Sequence, residues 1–500
     1  MSTSVPWLSL MLWSLPLGAL LIWLVPDARQ ARRIALLTAL LDLSLAVVVV
    51  LQFDATEGGF QLVEHASWIP TLNIHYLLGV DGISVLFLPL TVALFLGVIA
   101  ASWNSVHSLP RLYYTLLLLL ENTTLGIFCS LDLMLFFLFW DLSLIPLYFL
   151  ISLWGPGAHR RYAAVKYALF MLAGGVPLLF GILLLAFHQA DLSGVGVPAG
   201  LAWDYRELLA TPLPAGTELA VFLLLLLGFA VKIPVFPMHT WLPVAGMEGP
   251  AAVAALLTGL KLGAYGLIRF AIPLAPQAAQ ELHWLIAGLG VVGVLYGALA
   301  ALAQTNLRRM LAYASMSHVG LVLLGVASFS EPGLQGAVFQ LQNFTVVAGG
   351  LFLLTGLLQQ RVGSTDLIAL GGVGRSMPLF AAFYFLFALA SLGVPGTAGF
   401  PAEFLILMST LEAHRGAGLA ALVGMVLGAA YLLDSYRRTF YGPFGNTAIE
   451  ELVDLRRREL WLAGAFAALI LLAGLYPALV LDTTRAASAL WVSRLGTPLP

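Results

Sequence analysis

Two lysines lie inside long hydrophobic stretches of the chain. Lys232 occurs in GFAVKIPVFPMHTWLP and Lys261 in LLTGLKLGAYGLIRF. On insertion scales, an ammonium group at the centre of a bilayer costs roughly 2.5–3.5 kcal/mol. An ionisable residue at that depth indicates function, and a buried lysine can change its protonation state. Both lysines are therefore candidates for holding and passing protons.

Two carboxylic acids lie in similar surroundings. Asp141 occurs in LMLFFLFWDLSLIPLYFL and Glu403 in PGTAGFPAEFLIL. A carboxylate beside a lysine favours the protonated amine, and its withdrawal favours proton release. We therefore predict that Asp141 pairs with Lys232. Lys261 would be the central relay residue and Glu403 the acid from which the proton leaves, whereas the alternative is a set of static ion pairs.

Three weaker candidates accompany these four residues. His239 follows Lys232 by seven residues, and His318 lies in LAYASMSHVGLVLLG. Each histidine either relays protons or only hydrogen-bonds a neighbouring helix. Lys166, in AAVKYALF, either modulates the Asp141 pair or extends to the membrane interface.

Other charged residues have simpler interpretations. Glu121 and Asp434 are further intramembrane candidates, and Asp81 in GVDGIS is expected to cap the third span. Three arginines near predicted helix ends are expected to anchor the topology: Arg269, Arg308 and Arg309.

The composition is that of a membrane protein. Of 500 residues, 60% are hydrophobic and 10% are charged, and the net charge of −2 gives no indication of a nucleic-acid partner. A soluble domain carries about 25% charged residues. The single cysteine, Cys129, excludes a disulfide framework and an iron–sulfur site built from this chain alone. The sequence has no nucleotide-binding fingerprint, phosphate-binding loop or metal-ligand spacing, so we expect no cofactor and no metal in this chain.

The apolar runs predict an all-α polytopic fold with about fourteen transmembrane helices. The first run has no preceding basic region or cleavage site, so it is interpreted as a retained span. The predicted spans are 5–25, 34–53, 80–102, 111–130, 132–153, 162–188, 218–242, 250–272, 282–303, 309–328, 333–359, 377–411, 416–440 and 460–482.

Loop charges predict the orientation. Connections after odd-numbered spans carry most of the arginines, and those after even-numbered spans are acidic or nearly bare. Positive loops remain on the cytoplasmic side, so both termini should lie on the non-cytoplasmic side of the inner (cytoplasmic) membrane. The connection around Glu248 has no basic residue and is the weakest point of this interpretation.

Prolines predict that the seventh span is interrupted at Lys232-Ile-Pro234 and Pro237, and the twelfth between Gly393 and Pro401. Interrupted helices at matching places indicate a transport site between inverted repeats. The predicted domains are helices 1–3, a first inverted five-helix repeat, a second repeat, and helix 14 with a tail; they cover residues 1–110, 111–272, 282–440 and 441–500.

Several motifs closely resemble the M subunit family of proton-translocating NADH-quinone oxidoreductase, respiratory complex I. They occur in the family's order across roughly residues 75–440: GVDGIS, FWDLSLIPLYFLI, GFAVKIPVFPMHTWLP, GLKLGAYGLIRF, LRRMLAYASMSHVGLVLLG and PGTAGFPAEFLIL. The resemblance implies fourteen helices, two inverted five-helix repeats, and proton pumping coupled to quinone reduction. It also implies L-type and N-type antiporter-like neighbours in the bilayer, with FMN, iron–sulfur clusters and quinone in partner subunits.

The family's functional residues transfer position by position. Its fifth-helix glutamate corresponds to Asp141, and its seventh- and eighth-helix lysines correspond to Lys232 and Lys261. Its twelfth-helix acid corresponds to Glu403 and its tenth-helix histidine to His318.

The chain departs from the family at three places, which indicates a divergent member. Asp141 is one methylene shorter than glutamate, and Pro243-Val244-Ala245-Gly246 replaces a Pro-Asp-Ala-His type of sequence. Phe344 occupies the position of an eleventh-helix relay histidine, so Asn343 or Gln342 would have to order water there.

Two alternatives remain open on the sequence. The chain could serve a multi-subunit cation/proton antiporter, or the membrane module of an inorganic-carbon-uptake or hydrogenase complex, because these share the same repeat. It could also be a scaffold subunit that has lost transport, although the retained buried lysines argue against that.

Overall fold

Long apolar helices make up almost the whole chain. A computed structural model describes residues 5–445 and 449–495. Within these residues, twelve helices are long and apolar enough to cross a membrane, and two shorter apolar helices, Phe87–Ala101 and Pro378–Ser391, accompany them. The chain is therefore a multi-pass membrane protein with the predicted helical fold. That all fourteen segments cross the membrane stays a prediction.

The first part of the chain contains a β-hairpin that the sequence analysis did not predict. Strands β1 and β2 pair antiparallel, and Asn73 between them adopts a left-handed conformation with φ 55°, which asparagine tolerates. The elements of this part are α1 (Trp7–Leu24), α2 (Ala28–Gln52), β1 (Gln61–Ile69), β2 (Ile74–Val80), α3 (Phe87–Ala101) and α4 (Pro110–Cys129).

The middle of the chain consists of spans that are broken into shorter helices. Its elements are α5 (Leu133–Leu142), α6 (Leu144–Trp154), α7 (Arg160–Ser193), α8 (Tyr205–Leu208), α9 (Ala215–Lys232), α10 (Trp241–Glu248), α11 (Ala251–Gly259), α12 (Leu262–Gly266), a π-helical turn (Leu267–Ala271) and α13 (Ile272–Leu274).

The last part contains the longest uninterrupted buried helices, α16 and α17. Its elements are α14 (Pro276–Glu281), α15 (His283–Leu302), α16 (Leu307–Ala327), α17 (Glu331–Val362), α18 (Val373–Ser376), α19 (Pro378–Ser391), α20 (Gly399–Ala413), α21 (Arg415–Phe440), α22 (Arg457–Leu475) and α23 (Ala478–Leu495).

Both predicted interruptions are confirmed. The seventh span stops at Lys232 and resumes at Trp241, and the twelfth stops at Ser391 and resumes at Gly399. Proline cannot donate the helical hydrogen bond and clashes with the preceding turn, which explains why the helices open there. Opened backbone at membrane depth is tolerated where it is buried in protein or lines a wet cavity. Ile233 and Val235 are buried in the first opening, and Thr397 and Ala398 are buried in the second.

The eighth span is also interrupted, and this was not predicted. Helix α11 ends at Gly259 and α12 begins at Leu262, so Lys261 lies in the opening. No proline marks this site. The segment instead packs against the break in the seventh span, because a β-carbon added to Gly263 would lie only 2.6 Å from the backbone nitrogen of Ile233.

The expected anchoring role is wrong for two of the three arginines. Arg269 is buried and forms an ion pair with Asp81, and Arg308 is buried and donates to the Gly249 carbonyl and, at 2.9 Å, to Gln359. Only Arg309 is exposed. The position of an arginine near a predicted helix end could not show whether its side chain lies at the membrane interface or is buried against another group of the chain.

The predicted cap by Asp81 is confirmed for the turn before α3. Its carboxylate accepts hydrogen bonds from the backbone nitrogens of Ile83 and Ser84, each at 3.1 Å. The predicted C-terminal tail contains helix α23, whose Trp491 indole donates to the carbonyl of Ile268 at 2.8 Å. That carbonyl lies in the π-helical turn, so α23 packs against the outer part of the eighth span.

Candidate functional site

Lys232 ends helix α9, and its amine points toward the junction between α5 and α6. The amine donates to the Ser143 hydroxyl at 3.1 Å and to the Trp140 carbonyl at 3.4 Å. It also lies 3.8 Å from the centroid of the Trp140 ring, which provides a cation–π contact. The break in the seventh span thus presents the lysine to the fifth span.

The expected direct pair between Asp141 and Lys232 is not formed. Among the ion pairs within 4.0 Å in the described residues, none joins these two side chains. The Asp141 carboxylate instead faces α7, because a β-carbon added to Gly175 would lie 3.0 Å from its Oδ1. An aspartate is one methylene shorter than a glutamate, so Ser143 rather than Asp141 is the nearest acceptor for the amine.

A small cavity joins Lys232 to the break in the eighth span. Its volume is about 30 Å³, and its polar lining comes from Thr124, Ser143, Tyr167 and Lys232. A cavity needs about 10–15 Å³ to hold one water, so this one has room for about two. Leu260 and Leu262, on either side of Lys261, are among the apolar residues of the lining.

Lys261 is buried, with 5% of its surface exposed, and its amine donates to the Ser315 hydroxyl in α16. The same ammonium lies 5.9 Å from the centroid of the Phe344 ring. Ser315 is three residues before His318, so the two side chains occupy neighbouring positions on one face of α16. Lys261 thus bonds a residue that lies about one helical turn before His318.

His318 contacts Glu403 across the second half of the protein. The ring atom Nδ1 lies 3.5 Å from Glu403 Oε1, and Nε2 lies 3.2 Å from the Ser391 hydroxyl and 3.4 Å from the Tyr431 hydroxyl. Glu403 is only 4% exposed. Two of the sequence-predicted residues are therefore neighbours, held by groups from α16, α19, α20 and α21.

Two amides of α17 extend this cluster. Gln340 Nε2 donates to Glu403 Oε1 at 3.1 Å, and Asn343 Nδ2 donates to Gln340 Oε1 at 3.3 Å. Ser315, His318 and both amides line a cavity of about 20 Å³, which has room for about one water. Ser315 and His318 thus share one small cavity with Gln340, which donates to Glu403, and with Asn343, which donates to Gln340.

Phe344 forms one wall between Lys261 and His318. Its ring centroid lies 5.6 Å from that of His318, with the two rings nearly perpendicular at 76°. A phenyl ring carries no titratable proton, so the polar connection passes beside it, through Ser315 and the cavity.

The remaining two candidates lie apart from this chain of contacts. His239 is buried in the opened backbone before α10, where its ring packs 5.1 Å from Tyr296 and 6.3 Å from Tyr313. Lys166 is half-buried in the second turn of α7, next to the cavity residue Tyr167. The predicted relay role of His239 and modulating role of Lys166 stay predictions.

Sequence reasoning missed a compositional signal. The chain has only three lysines, and all three lie in apolar helical segments: Lys166, Lys232 and Lys261. Loop cations and buried structural pairs use arginine, which does not release its proton in proteins. It also missed Ser143, Ser315, Gln340, Ser391 and Tyr431, which are ordinary residue types that only the packing assigns to the site.

The described residues contain no group of three or more histidine, cysteine, aspartate or glutamate side chains able to hold a metal ion. What the site does contain is three buried ionisable groups, Lys261, His318 and Glu403, with hydroxyls, amides and a water-sized cavity beside them. Such an arrangement has the chemistry for accepting, holding and transferring protons.

The family described as NADH:quinone oxidoreductase/Mrp antiporter, transmembrane region, matches residues 130–428. A relative named NAD(P)H-quinone oxidoreductase chain 4 1, from Synechococcus sp. (strain JA-3-3Ab), is 38% identical over 100% of this chain and 95% of its own length. NADH-quinone oxidoreductase subunit M of Escherichia coli (strain K12) is 35% identical over 97% of this chain and 96% of its own.

Solved structures of other proteins have a similar fold. A chain of respiratory complex I from Thermus thermophilus superposes with a TM-score of 0.88 at 31% identity, covering 98% of this chain and 100% of that one. A chain of the Mrp complex from Dietzia sp. DQ12-45-1b has a TM-score of 0.83 at 23% identity, covering 99% of this chain and 100% of that one, and it shows a shared fold. The chain belongs to the NADH:quinone oxidoreductase/Mrp antiporter transmembrane family.

Proposed function

We propose that this chain is a proton-translocating, antiporter-like membrane subunit of a complex I type NADH-quinone oxidoreductase. In this role it couples quinone reduction, carried out by partner chains, to proton movement through its own interior. It performs no redox chemistry itself; FMN, iron–sulfur clusters and quinone belong to the partners, and L-type and N-type antiporter-like subunits are its membrane neighbours.

The observation that carries the proposal is the polar connection through the second half of the protein. Lys261 donates to Ser315, Ser315 and His318 share one cavity, and His318 lies 3.5 Å from Glu403. Every ionisable group in this series is buried, and each one has a proton acceptor or a water-sized cavity beside it. A purely structural core would not require such groups at membrane depth.

The choice of cation supports proton carriage rather than static pairing. Lysine occurs only in the apolar spans, where its amine can be neutral or charged, whereas the buried structural pair with Asp81 uses Arg269. A static ion pair would be served equally well by arginine. The distribution therefore favours groups that must release a proton.

The first half acts as the control element of this mechanism. In the described conformation the Lys232 amine bonds Ser143 and the Trp140 carbonyl, and Asp141 faces α7. A small rearrangement of the α5–α6 junction would bring the Asp141 carboxylate to the amine and favour its protonated form. Withdrawal of the carboxylate would favour release toward Lys261 through the cavity between them.

The relatives support quinone oxidoreductase over a stand-alone antiporter. Full-length relatives at 35–38% identity are named as chains of NADH- or NAD(P)H-quinone oxidoreductases, whereas the Mrp chain shares only the fold. We place both termini on the non-cytoplasmic side of the inner membrane, because arginine-rich connections should remain cytoplasmic. Purifying the native complex tests this assignment: quinone-reducing partners support it, and their absence contradicts it.

The function is tested by Lys232→Ala and Lys261→Ala in the assembled complex. Both variants should lose this subunit's share of proton pumping in inverted membrane vesicles while the complex still assembles and oxidises NADH at least in part. Arg309→Ala, which changes an exposed cation, is the matched control and should pump normally. Unchanged proton stoichiometry in both lysine variants would overturn the proposal and favour a scaffold role.

A further inference from the structure

The N-termini of α2 and α22 meet at Trp103, which lies in the connection between α3 and α4. Arg32 of α2 donates to the Trp103 carbonyl, and the guanidinium carbon of Arg458 in α22 lies 6.0 Å from the centroid of the Trp103 ring. The loop charges predict this face of the membrane to be cytoplasmic. Two helix ends and two cations therefore lie together on that face.

This place is rich in positive charge. Each of the two helices carries three arginines at its N-cap or within its first two turns: Arg29, Arg32 and Arg33 for α2, and Arg456, Arg457 and Arg458 for α22. Like charges repel one another, and a helix N-terminus itself carries partial positive charge that favours an anion. The arrangement is therefore unfavourable unless an anion lies among the arginines.

The acids nearest to these arginines are engaged elsewhere. Asp27 caps the first turn of α2, and Glu459, the residue after Arg458, forms an ion pair with Arg361. Among the ion pairs within 4.0 Å in the described residues, none includes Arg32 or Arg458. These two arginines thus have no carboxylate partner in the part of the chain that the structure describes.

Three buried polar atoms at this place have no hydrogen-bond partner in the described residues. They are the Nε atoms of Arg32 and Arg458 and the hydroxyl of Tyr114, in the second turn of α4. Tyr114 is fully buried, and its hydroxyl is close enough to both arginines to interact with them electrostatically. An unpaired buried donor is unfavourable, so such donors normally have a partner in the protein or in solvent. Three unpaired donors from three helices indicate a ligand with several acceptor oxygens.

We propose that Arg32, Arg458 and Tyr114 bind the phosphate group of an anionic phospholipid in the cytoplasmic leaflet. The charged oxygens of a phosphodiester can accept hydrogen bonds from all three side chains, and the planar guanidinium of arginine suits phosphate geometry. Both arginines are half-buried, so the site is open to the membrane surface, whereas the buried Tyr114 closes it on the inner side. The inference is independent of proton translocation and adds a lipid ligand to this chain.

The same two helices provide a place for the acyl chains. Leu43 of α2 and Ala465 of α22 line a cavity of about 430 Å³, whose walls are apolar apart from two amides of α17. At a rise of about 1.5 Å per residue, Leu43 lies about 16 Å along α2 from Arg32, and Ala465 lies about 10 Å along α22 from Arg458. One leaflet of the hydrocarbon core is about 15 Å thick, so the chains of a lipid held by the arginines can reach this cavity. A soluble phosphate compound would have no use for it.

The lipid retained by the purified complex tests the site. Arg32→Gln with Arg458→Gln removes both guanidinium groups near Tyr114, and Arg33→Gln with Arg457→Gln is the matched control, because it removes two exposed arginines from the same helix ends. Native mass spectrometry should show one phosphatidylglycerol fewer on the first variant than on the wild-type complex, and the wild-type number on the control. Equal retention by the two double variants would overturn the inference and assign the arginines to membrane topology or to a neighbouring subunit.

Tyr114→Phe tests the site with a conservative change. Delipidated complex is titrated with dioleoyl phosphatidylglycerol, and binding is followed as the rise in the temperature at which this subunit is lost from the complex. Half-saturation of Tyr114→Phe should require roughly tenfold more lipid, the equivalent of one lost hydrogen bond. Tyr113→Phe is the control and should bind lipid as the wild type does, since the Tyr113 hydroxyl already pairs with that of Ser102 at 2.8 Å. Equal titrations of the two variants would contradict the proposed site.

Two further ligands distinguish the source of the phosphate. Dioleoyl phosphatidylcholine carries the same phosphodiester next to a compensating cation, and it should stabilise the wild-type complex much less than dioleoyl phosphatidylglycerol does. Glycerol 3-phosphate supplies a phosphate without acyl chains and should give no stabilisation. If glycerol 3-phosphate stabilises this subunit as much as dioleoyl phosphatidylglycerol does, the site takes a soluble phosphate ester and the lipid assignment is wrong.

Discussion

Gly393 lies directly against the carboxylate of Glu403. A β-carbon added to this glycine would come 2.5 Å from Glu403 Oε2, and the backbone there has φ +64°. The interruption of the twelfth span therefore does more than open a helix. It removes a side chain from the position that the acid of the following helix occupies.

Gly393→Ala should accordingly displace the Glu403 carboxylate and reduce pumping severely. Gly396→Ala is a matched control, because its φ is also positive at +91° but its nearest neighbouring atom would be 4.0 Å away. Both variants should lose about 1 kcal/mol of stability from backbone strain. Equal pumping defects in the two would show that strain, rather than the position of the acid, is responsible.

Ser315→Ala should uncouple Lys261 from His318. The substitution removes the hydroxyl to which the lysine donates, and we expect proton transport to fall roughly tenfold, as for one lost hydrogen bond. Ser317→Ala is the control on the same helix, since that hydroxyl is equally buried but donates to the Val294 carbonyl at 2.9 Å. Proton uptake by vesicles measures both, and a larger loss in the control would contradict the assignment.

Phe344→His should rescue the Ser315→Ala variant in part. The Phe344 ring lies between Lys261 and His318, at 5.9 Å and 5.6 Å, so an imidazole at this position could carry a proton between them. Phe344→Leu in the same background keeps an apolar side chain and should give no rescue. Rescue by leucine would mean that volume, not proton carriage, controls this step.

Arg269→Ala should destabilise the protein by about 3–5 kcal/mol, because it leaves the buried Asp81 carboxylate without its cation. The double variant Asp81→Asn with Arg269→Met removes both charges and should recover much of the loss. Thermal unfolding of the purified complex, monitored as the loss of this subunit from it, measures the difference in stability between the single and the double variant. A double variant less stable than the single one would rule out the ion-pair explanation.

The sequence predicted the helical fold and the two proline-marked breaks, because hydropathy and proline act locally and leave a signal in the residues themselves. It did not predict the break at Lys261. That break depends on how closely Gly263 packs against Ile233 of another span, which is a tertiary contact.

The sequence predicted some residues of the candidate site but not the contacts between them. Ionisable residues in apolar stretches identified Lys261, His318 and Glu403, and the structure connects them. The direct contact of Asp141 with Lys232 is not formed in this conformation, in which the amine donates to Ser143. The hydroxyl of Ser315 and the amide of Gln340 could not be recognised as site groups from the sequence. Serine and glutamine are common in helices, and only the packing of neighbouring helices places these two beside Lys261 and Glu403.

In the proposed mechanism, Lys261 gives up its proton in each cycle. The most direct test is the proton-to-electron ratio of complex that carries Lys261→Arg, measured in vesicles during NADH oxidation. Arginine keeps the positive charge but does not release its proton at accessible pH. We expect this subunit's share of pumping to be lost, as in Lys261→Ala. A normal ratio in Lys261→Arg would show that the charge alone suffices and would contradict proton transfer through Lys261.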